Sequence, residues 1–184
     1  MKAKIRALCK EKRNAMSVDE VIEKSVLAEE LFLSSELYHN SECIMLYMPL
    51  GNETDTSLIL KKSLTDGKRV VIPITDTSNT DIIPCIVSED TVFKKGAYSI
   101  NEPDRLIKAD ETHIDTVIVP GIAFGKDGGR VGFGKGYYDR FLKKTKAVKI
   151  GFCYDFQLYE TIPADSHDMP MDYVVTENII YKTK

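Results

Sequence analysis

Five short, predominantly apolar segments are the feature of this sequence that most constrains its fold. They are CIMLYM (43–48), RVVIPI (69–74), DTVIVP (115–120), VKIGFCY (148–154) and DYVVT (172–176). A strand that is apolar at consecutive positions must be covered on both faces, as in a parallel sheet between helices. Because helical segments alternate with these strands, we predict an α/β fold. The expected form is a single three-layer domain, residues 1–184, with a largely parallel central sheet flanked by helices.

Helix signals lie between the apolar segments. SVDE (17–20) has the spacing of a capping box and predicts the start of the second of two amino-terminal helices. Its apolar stripe should consist of Val21, Ile22, Leu27, Ala28, Leu31 and Phe32. Further helices are expected from about Thr56 to Thr65, ended by Gly67, and from about Tyr137 to Lys144. DIIPCIV (81–87) contains a proline, which predicts an edge strand.

Charge and composition argue against several functional classes. The net charge is only −3 and basic and acidic residues are interspersed, so no nucleic-acid or membrane surface is predicted. No apolar run approaches the roughly 20 residues of a membrane-spanning helix. The four cysteines contain no CxxC pair, which argues against a zinc or redox site. We expect a cytoplasmic monomer whose partners are small molecules.

Seven of the eleven glycines lie between Gly121 and Gly136. Ordering a glycine costs more conformational entropy than ordering any other residue, so such a stretch should be shaped around something. The dinucleotide fingerprint GxGxxG does not occur, because Tyr137 stands where its last glycine belongs. The phosphate-binding pattern GxxxxGK[ST] fits from Gly129 to Lys135, but the next residue is glycine rather than serine or threonine.

An anion site is still the natural interpretation of this stretch. A glycine-rich turn leading into a helix directs backbone N–H groups and the positive end of the helix dipole at one point. Arg130 and Lys135 flank that point, which favours a polyphosphate, and Asp139 in the first helical turn is a suitable Mg²⁺ ligand. The residues alone also allow a glycine-rich hairpin with solvated cations, in which Asp139 only complements the helix dipole.

The segment PGIAFGKDGGRVGFGKGYYDRFL (120–142) resembles the signature of the 5-formyltetrahydrofolate cyclo-ligase family, also called methenyltetrahydrofolate synthetase. YMPLGNETDT (47–56), IPADSHDMPMDYVVTE (162–177) and the basic first helix match at corresponding spacings, so the resemblance covers essentially the whole chain. It implies a compact α/β enzyme that converts 5-formyltetrahydrofolate to 5,10-methenyltetrahydrofolate. The implied co-substrate is ATP, which gives ADP and phosphate, and the implied metal is Mg²⁺.

The resemblance also implies the residues that bind each ligand. Arg130 and Lys135 would be catalytic, and Asp139 and Asp168 would bind Mg²⁺. ATP would contact Lys2, Arg6, Arg130, Gly132, Gly134, Lys135, Gly136, Tyr137 and Tyr138. Folate would contact Met48, Glu53, Phe133, Gly134, Lys135, Gly136 and Tyr137. No role is assigned to Gln157, His167 or Asp172.

Two other functional classes remain open at the level of sequence. The first is a sugar-phosphate isomerase or transferase whose glycine loop binds one phosphate and which needs no ATP. The second is a non-catalytic protein that retains affinity for a nucleotide or folate. Formation of a methenyl-folate chromophore that depends on ATP would distinguish the cyclo-ligase from both.

Overall fold

The computed structural model describes residues 1–184 and contains five α-helices and twelve β-strands. The helices are α1 (Lys2–Ala15), α2 (Val18–Leu33), α3 (Glu36–His39), α4 (Ser57–Thr65) and α5 (Tyr137–Leu142). The first six strands are β1 (Cys43–Met45), β2 (Arg69–Asp76), β3 (Asp81–Val87), β4 (Phe93–Lys95), β5 (Asn101–Pro103) and β6 (Thr116–Pro120). The others are β7 (Ala123–Gly125), β8 (Arg130–Val131), β9 (Val148–Phe152), β10 (Leu158–Tyr159), β11 (Tyr173–Val175) and β12 (Ile180–Lys182).

The central sheet has seven strands in the order β12-β11-β9-β6-β1-β2-β3. The five apolar segments of the sequence form β1, β2, β6, β9 and β11, and these five strands run parallel to their neighbours in that group. The two edge strands, β3 and β12, pair antiparallel. The predicted α/β fold and the edge position of the proline-containing strand are therefore confirmed.

Alternate residues of the central strands enter two separate hydrophobic cores. Cys43 and Met45 of β1 face a core that includes Phe141 of α5, whereas Ile44 faces a core that includes Phe32 of α2. Successive strand side chains point to opposite faces, so both faces of this sheet are covered. This arrangement gives the predicted three layers.

Helix α2 begins at the predicted capping box but buries a different face from the one expected. The Glu20 amide donates to Ser17 Oγ, and the Ser17 amide donates to Glu20 Oε2. Ile22 and Leu27 are 56% and 45% exposed, so their assignment to the buried stripe was wrong. The buried positions are Ser25, Ala28, Glu29 and Phe32. The two polar members are buried because Ser25 binds the backbone just before α4 and Glu29 binds the backbone of the first turn of α4.

Two small sheets accompany the central one. A three-stranded sheet has the order β10-β7-β8, and β4 pairs with β5 in a hairpin. Helix α1 packs on β7 and β8, where Cys9 joins a small core with Ile122 and Val131. None of the helices has the length and apolar character required to cross a bilayer.

Gly151 in β9 provides a test of this packing. A Cβ atom at Gly151 would lie 2.4 Å from ring atoms of Phe124, which is fully buried. Overpacking of this kind costs about 1–3 kcal/mol, so Gly151→Ala should lower the free energy of unfolding by that amount in a urea titration. Combining it with Phe124→Leu should recover part of the loss. Strictly additive effects of the two substitutions would contradict this account.

Candidate active site

A small, nearly closed pocket, which we call the cleft, lies where three neighbouring parallel strands end. Tyr47, Pro120 and Phe152 line it at the carboxyl ends of β1, β6 and β9. Its other lining residues are Arg13, Glu53, Thr54, Gly121 and Gln157. Within the sheet, β2 is the neighbour of β1 on one side and β6 is its neighbour on the other. The strand order therefore reverses between β1 and β6. Ligands of open α/β sheets bind at such a switch point, so the topology itself marks this cleft.

Glu53 presents a buried carboxylate to the cleft. The residue is 7% exposed, and its Oε2 accepts a hydrogen bond of 2.9 Å from the Leu50 amide. Its Oε1 has no hydrogen-bond partner, and the nearest cation is Arg13, with Nη1 at 3.8 Å. Burial raises the pKa of Glu53, and the Leu50 amide and Arg13 only partly oppose this rise. A buried carboxylate oxygen without a partner is costly, which is the signature of a ligand position.

The segment that carries Glu53 is held in place by α2. The Asp55 amide donates to Ser25 Oγ over 3.0 Å. Glu29 Oε1 accepts hydrogen bonds from the amides of Leu58 and Ile59, at 2.8 and 3.2 Å, and thereby caps the start of α4. The side chain of Thr56, which precedes α4, makes no capping hydrogen bond, although Asp55 Oδ1 accepts one of 3.0 Å from the Ser57 amide. Glu29 therefore adds a long-range cap and connects α2 to the helix that follows the loop of residues 48–56.

The glycine stretch forms two successive structures. Residues 126–129 connect the antiparallel strands β7 and β8, so the hairpin interpretation holds for this half. Residues 132–136 then lead into α5, as the anion-site interpretation requires. Gly134 and Gly136 have φ values of +97° and +68°, which only glycine adopts without strain. We call residues 132–136 the glycine loop.

Arg130, in β8 just before the glycine loop, is bonded to Asp139 of α5. It is 8% exposed, and its Nη2 donates to Asp139 Oδ1 over 2.9 Å while its Nη1 donates to the Pro120 carbonyl over 3.2 Å. Its Nε is buried without a partner. Asp139 Oδ1 also accepts from the Met169 amide at 3.2 Å, so the segment containing Asp168 lies against Asp139.

Lys2 is bound by an acidic segment near the carboxyl terminus, residues 162–171, which we call the acidic segment. Its Nζ lies 2.6 Å from a carboxylate oxygen of both Asp165 and Asp168. Burial opposes the charge of Lys2, but the two carboxylates outweigh this effect and raise its pKa. Burial likewise opposes ionisation of Asp168, yet the bonds from Lys2 and the Asp165 amide leave its pKa below the ordinary value. His167 is exposed, and its Nε2 lies 3.8 Å from Asp168 Oδ1, which is too long for a hydrogen bond. This contact gives no reason to assign His167 a catalytic role.

Helix α1 touches every part of this region with one face. Lys2, Arg6 and Arg13 are spaced so that they project from the same side of the helix. Arg6 Nε donates to the Gly132 carbonyl over 3.2 Å, between the carboxylate contacts of Lys2 and the Glu53 contact of Arg13. The first helix thus lies across the acidic segment, the glycine loop and the cleft in turn.

Asp127 anchors the acidic segment to the hairpin. Its carboxylate accepts hydrogen bonds from the amides of Gly129, at 3.0 Å, and Ile162, at 3.1 Å. The Met171 amide donates to the Gly128 carbonyl at the other end of the segment. A cavity of about 170 Å³ lies between these parts, lined by Asp127, Gly129, Arg130, Ile162, Ala164, Asp168, Met169 and Pro170.

Lys135 lies apart from Arg130, at the outer edge of the glycine loop. Its Nζ is 3.2 Å from the hydroxyl of Tyr98, which is 3.2 Å from the hydroxyl of Tyr137. Hydrogen bonds with Tyr137 and Lys135 lower the pKa of Tyr98. Tyr98 and Ser99 have φ values of 56° and 61°, and such strained residues cluster at functional sites. The sequence offered no signal for Tyr98.

The remaining predicted residues occupy different environments. Tyr138 is partly buried, its buried hydroxyl has no partner, and desolvation raises its pKa well above the ordinary value. Met48 packs on the α2-side core, whereas Phe133 is 48% exposed beneath Lys10. Gln157 donates to the carbonyls of Gly121 and Ile122, and Asp172 pairs with Lys149, so both have structural contacts.

Comparison with known proteins identifies the family. The model of the 5-formyltetrahydrofolate cyclo-ligase family matches residues 1–177. The chain belongs to this family. The mouse (Mus musculus) 5-formyltetrahydrofolate cyclo-ligase is 30% identical over 187 residues, covering 95% of this chain and 92% of the mouse protein. The family resemblance inferred from the glycine loop and its flanking segments is thus confirmed, and the chain is a ligase.

Solved structures agree with this membership. The NMR structure of Aquifex aeolicus 5,10-methenyltetrahydrofolate synthetase superimposes with a TM-score of 0.88 at 32% identity, covering 100% of this chain and 93% of that one. A 5,10-methenyltetrahydrofolate synthetase from Mycoplasma pneumoniae gives a TM-score of 0.76 at 26% identity, covering 96% of this chain and 98% of that one. This cyclo-ligase family member therefore has the fold of solved synthetases along essentially its whole length.

Besides Tyr98, three residues of this cyclo-ligase with contacts to the site were not recognised in the sequence. Asp165 shares Lys2 with Asp168, Asp127 fixes the acidic segment, and Arg13 lies beside Glu53. Asp165 had a usable signal, because it stands three residues before Asp168 in an acidic segment. Arg13 and Asp127 had none, since their partners are 40 and 35 positions away along the chain.

Glu29 gives a pH prediction for the site's support. Burial, only partly offset by the amides of Ile59 and Leu58, raises its pKa from 4.5 to about 7. Between those values the folded state holds a proton that the unfolded state has released, so stability falls as pH rises. Relative to Glu29→Gln, the wild type should lose about 1–3 kcal/mol of unfolding free energy between about pH 5 and about pH 8. Urea titrations at both pH values measure this difference, and a pH-independent difference would contradict it.

Proposed function

We propose that this protein converts 5-formyltetrahydrofolate to 5,10-methenyltetrahydrofolate, with ATP as co-substrate and Mg²⁺ as its metal, in one catalytic domain of residues 1–184. One observation carries the proposal. Glu53 Oε1, Thr54 Oγ1, Arg130 Nε and Tyr138 Oη are all buried without hydrogen-bond partners, in the region of the carboxyl-end cleft. Native proteins rarely leave such atoms unpaired, so together they indicate a polar ligand.

The folate fits the cleft side of this region. The amino-pyrimidinone edge of a pterin has adjacent N–H donors, and the unpaired Glu53 carboxylate is an acceptor of the right kind. Tyr138 would supply a neutral hydroxyl donor, because its raised pKa keeps the proton on the oxygen. Met48 would cover the ring, and Phe133 and Tyr137 are placed on the glycine loop and the start of α5 to contact the rest of the substrate.

The nucleotide fits the glycine loop and the cations around it. The amides of residues 132–138 would bind the ATP phosphates together with Lys2, Arg6, Arg130 and Lys135. Three of these cations already lie near one another's partners: Arg6 contacts the loop, Lys2 contacts the acidic segment, and Arg130 contacts Asp139 of α5. Polyphosphate binding of this kind relies on positioned backbone donors and charge rather than on covalent chemistry.

The residues present also fit Mg²⁺. Asp139 and Asp168 lie on segments joined by the hydrogen bond from Met169, and each has one carboxylate oxygen that accepts no hydrogen bond. Magnesium in nucleotide sites commonly takes one or two carboxylates along with phosphate oxygens and water. Bound there, it would neutralise charge on the phosphates. Lys2 would then exchange its contact with Asp168 for one with the nucleotide.

The chemistry is activation of a poor leaving group. The formyl oxygen attacks the γ-phosphorus of ATP and ADP leaves, which gives a phosphorylated iminium at N5. N10 adds to the activated carbon and loses its proton, and phosphate departs to leave the methenyl bridge. Arg130 and Lys135 would stabilise the charge that moves from the γ-phosphate towards ADP, the role in which fixed donors contribute most to rate.

The cellular compartment of the protein stays a prediction. The Arabidopsis thaliana relative is named as mitochondrial, so family membership by itself does not fix where a member resides. We propose a cytoplasmic monomer that acts on small molecules, in line with the dispersed charge of the sequence.

Incubation of the purified protein with 5-formyltetrahydrofolate, ATP and Mg²⁺ tests the activity. Methenyl-folate absorbance should rise together with ADP release, and omission of ATP should abolish both. Lys135→Ala should lower kcat about a hundredfold without unfolding the protein, because Lys135 is exposed. Lys146→Ala, which removes another exposed lysine, is the matched control.

Each alternative function gives a different result in this assay. Folate binding without ADP release would indicate a binding protein, and turnover of a sugar phosphate without ATP would indicate an isomerase or transferase. Either outcome would overturn the proposed function. Wild-type turnover in Lys135→Ala would overturn only the assignment of Lys135.

Asp139→Asn tests the metal assignment. Asparagine keeps an oxygen for the hydrogen bonds from Arg130 and Met169 but loses the charge that would bind Mg²⁺. The Mg²⁺ concentration for half-maximal rate should rise about tenfold or more, and titration with Mn²⁺ in the presence of ADP should show weaker binding. Glu160→Gln, at an exposed acid paired with Lys126, should leave both values unchanged. An unaltered Asp139→Asn metal titration would remove Asp139 from the metal site.

A further inference from the structure

We propose that Arg13 is a positioning residue that keeps the Glu53 carboxylate charged and aimed at the pterin. This inference rests on the proposed function, because it assigns Arg13 a purpose through the substrate contact of Glu53. Arg13 belongs to the last turn of α1, and Glu53 follows β1, so only the tertiary structure brings them together.

The two side chains form a buried pair that is not closed by a hydrogen bond. Arg13 and Glu53 are each 7% exposed, and Arg13 Nη1 lies 3.8 Å from Glu53 Oε1. The distance is too long for a hydrogen bond, so the carboxylate oxygen keeps its acceptor capacity. At the same time the guanidinium charge is close enough to stabilise the ionised carboxylate. This combination suits a residue that supports a binding group without consuming it.

Asn52 fixes the guanidinium in this position. Arg13 Nε donates to Asn52 Oδ1 over 3.0 Å, and Asn52 Nδ2 donates back to the Arg13 carbonyl over 2.6 Å. Asn52 directly precedes Glu53 in the chain, so the same reciprocal contact ties the end of α1 to the carboxylate's own backbone. The position of α1 and the direction of the Glu53 side chain are therefore set together.

Arg13 is the only ionised partner that faces Glu53. The other titratable groups around it are Tyr47, at the end of β1, and Tyr138, on α5. Burial raises the pKa of both tyrosines, so both are neutral at physiological pH and neither offsets the carboxylate charge. Burial also raises the pKa of Glu53, and Arg13 is the only charged group that opposes this rise. Without Arg13, Glu53 would take up a proton closer to neutral pH and lose an acceptor that the pterin N–H groups need.

A cation in the last turn of a helix has an ordinary explanation, which is its interaction with the helix dipole. The neighbouring Lys12 fits that explanation, because it is exposed. The dipole by itself does not require Arg13 to be buried, since it also stabilises an exposed cation, although more weakly. Burial beside a carboxylate whose Oε1 has no partner is what points to the substrate site.

The test is the pH dependence of 5-formyltetrahydrofolate binding, measured by calorimetry without ATP from about pH 5.5 to about pH 8.5. For Arg13→Met the dissociation constant should rise about tenfold per pH unit below the new Glu53 pKa, because only the ionised fraction binds. At the alkaline end it should approach the wild-type value within about threefold. Arg13→Lys keeps the charge and should retain a wild-type profile. Asn52→Ala, which releases the guanidinium, should shift the profile in the same direction as Arg13→Met but less.

Glu53→Gln separates failure of this inference from failure of the proposed function. Weak, pH-independent binding by Glu53→Gln supports the substrate role of Glu53 and makes the Arg13 profile interpretable. If Glu53→Gln binds folate as the wild type does, the proposed folate contact itself is wrong. If Glu53→Gln binds weakly but Arg13→Met is weakened equally at every pH, Arg13 is only structural and the inference fails. Should Arg13→Met bind too weakly to measure, carbon-13 NMR of the Glu53 carboxyl in that variant decides, and an unchanged titration overturns the inference.

Discussion

Two carboxylates that each lie beside a guanidinium organise the site, one buried (Glu53) and one partly buried (Asp139). Asp139 is bonded to Arg130, and Glu53 faces Arg13, in both cases in surroundings that exclude most water. A buried charge without a partner is strongly destabilising, so these contacts constrain the elements that carry them. Helix α1, strand β8, helix α5 and the loop after β1 must all keep their relative positions. The same contacts leave acceptor and donor atoms unpaired, and these are the atoms available to a ligand.

Helix α1 contacts three separate parts of the site. One face of the helix reaches the acidic segment through Lys2, the glycine loop through Arg6 and the cleft through Arg13. The helix buries only Cys9 and Arg13, so its position depends more on these polar contacts than on a large apolar face. A ligand that replaces the Lys2 contact with Asp168 would therefore also act on the helix that supports Glu53. Nucleotide, metal and folate would then share one structural element.

Much of the fold could be predicted from sequence because its strands are buried on both faces. Continuous apolar runs identified all five parallel strands, and Pro84 correctly placed β3 at an edge. The stripe of α2 was predicted wrongly at Ile22 and Leu27, because hydropathy takes no account of Ser25 and Glu29. Those polar side chains are buried to bind distant backbone amides, which a local pattern cannot show. The short strands β7, β8, β10 and β12 were missed because two or three residues carry no periodicity.

The sequence by itself determined the fold class, the family and the existence of a glycine loop before α5, since these depend on residue type and short spacings. Glycines at 134 and 136 and the charged residues beside them encode that loop locally. Tertiary structure alone decided which charges meet. Lys2 and Asp168 are separated by 166 positions, and Arg13 and Glu53 by 40. Contacts of this range form only when the sheet brings the ends of β1, β6 and β9 together under α1, because packing rather than sequence proximity sets the distance between them.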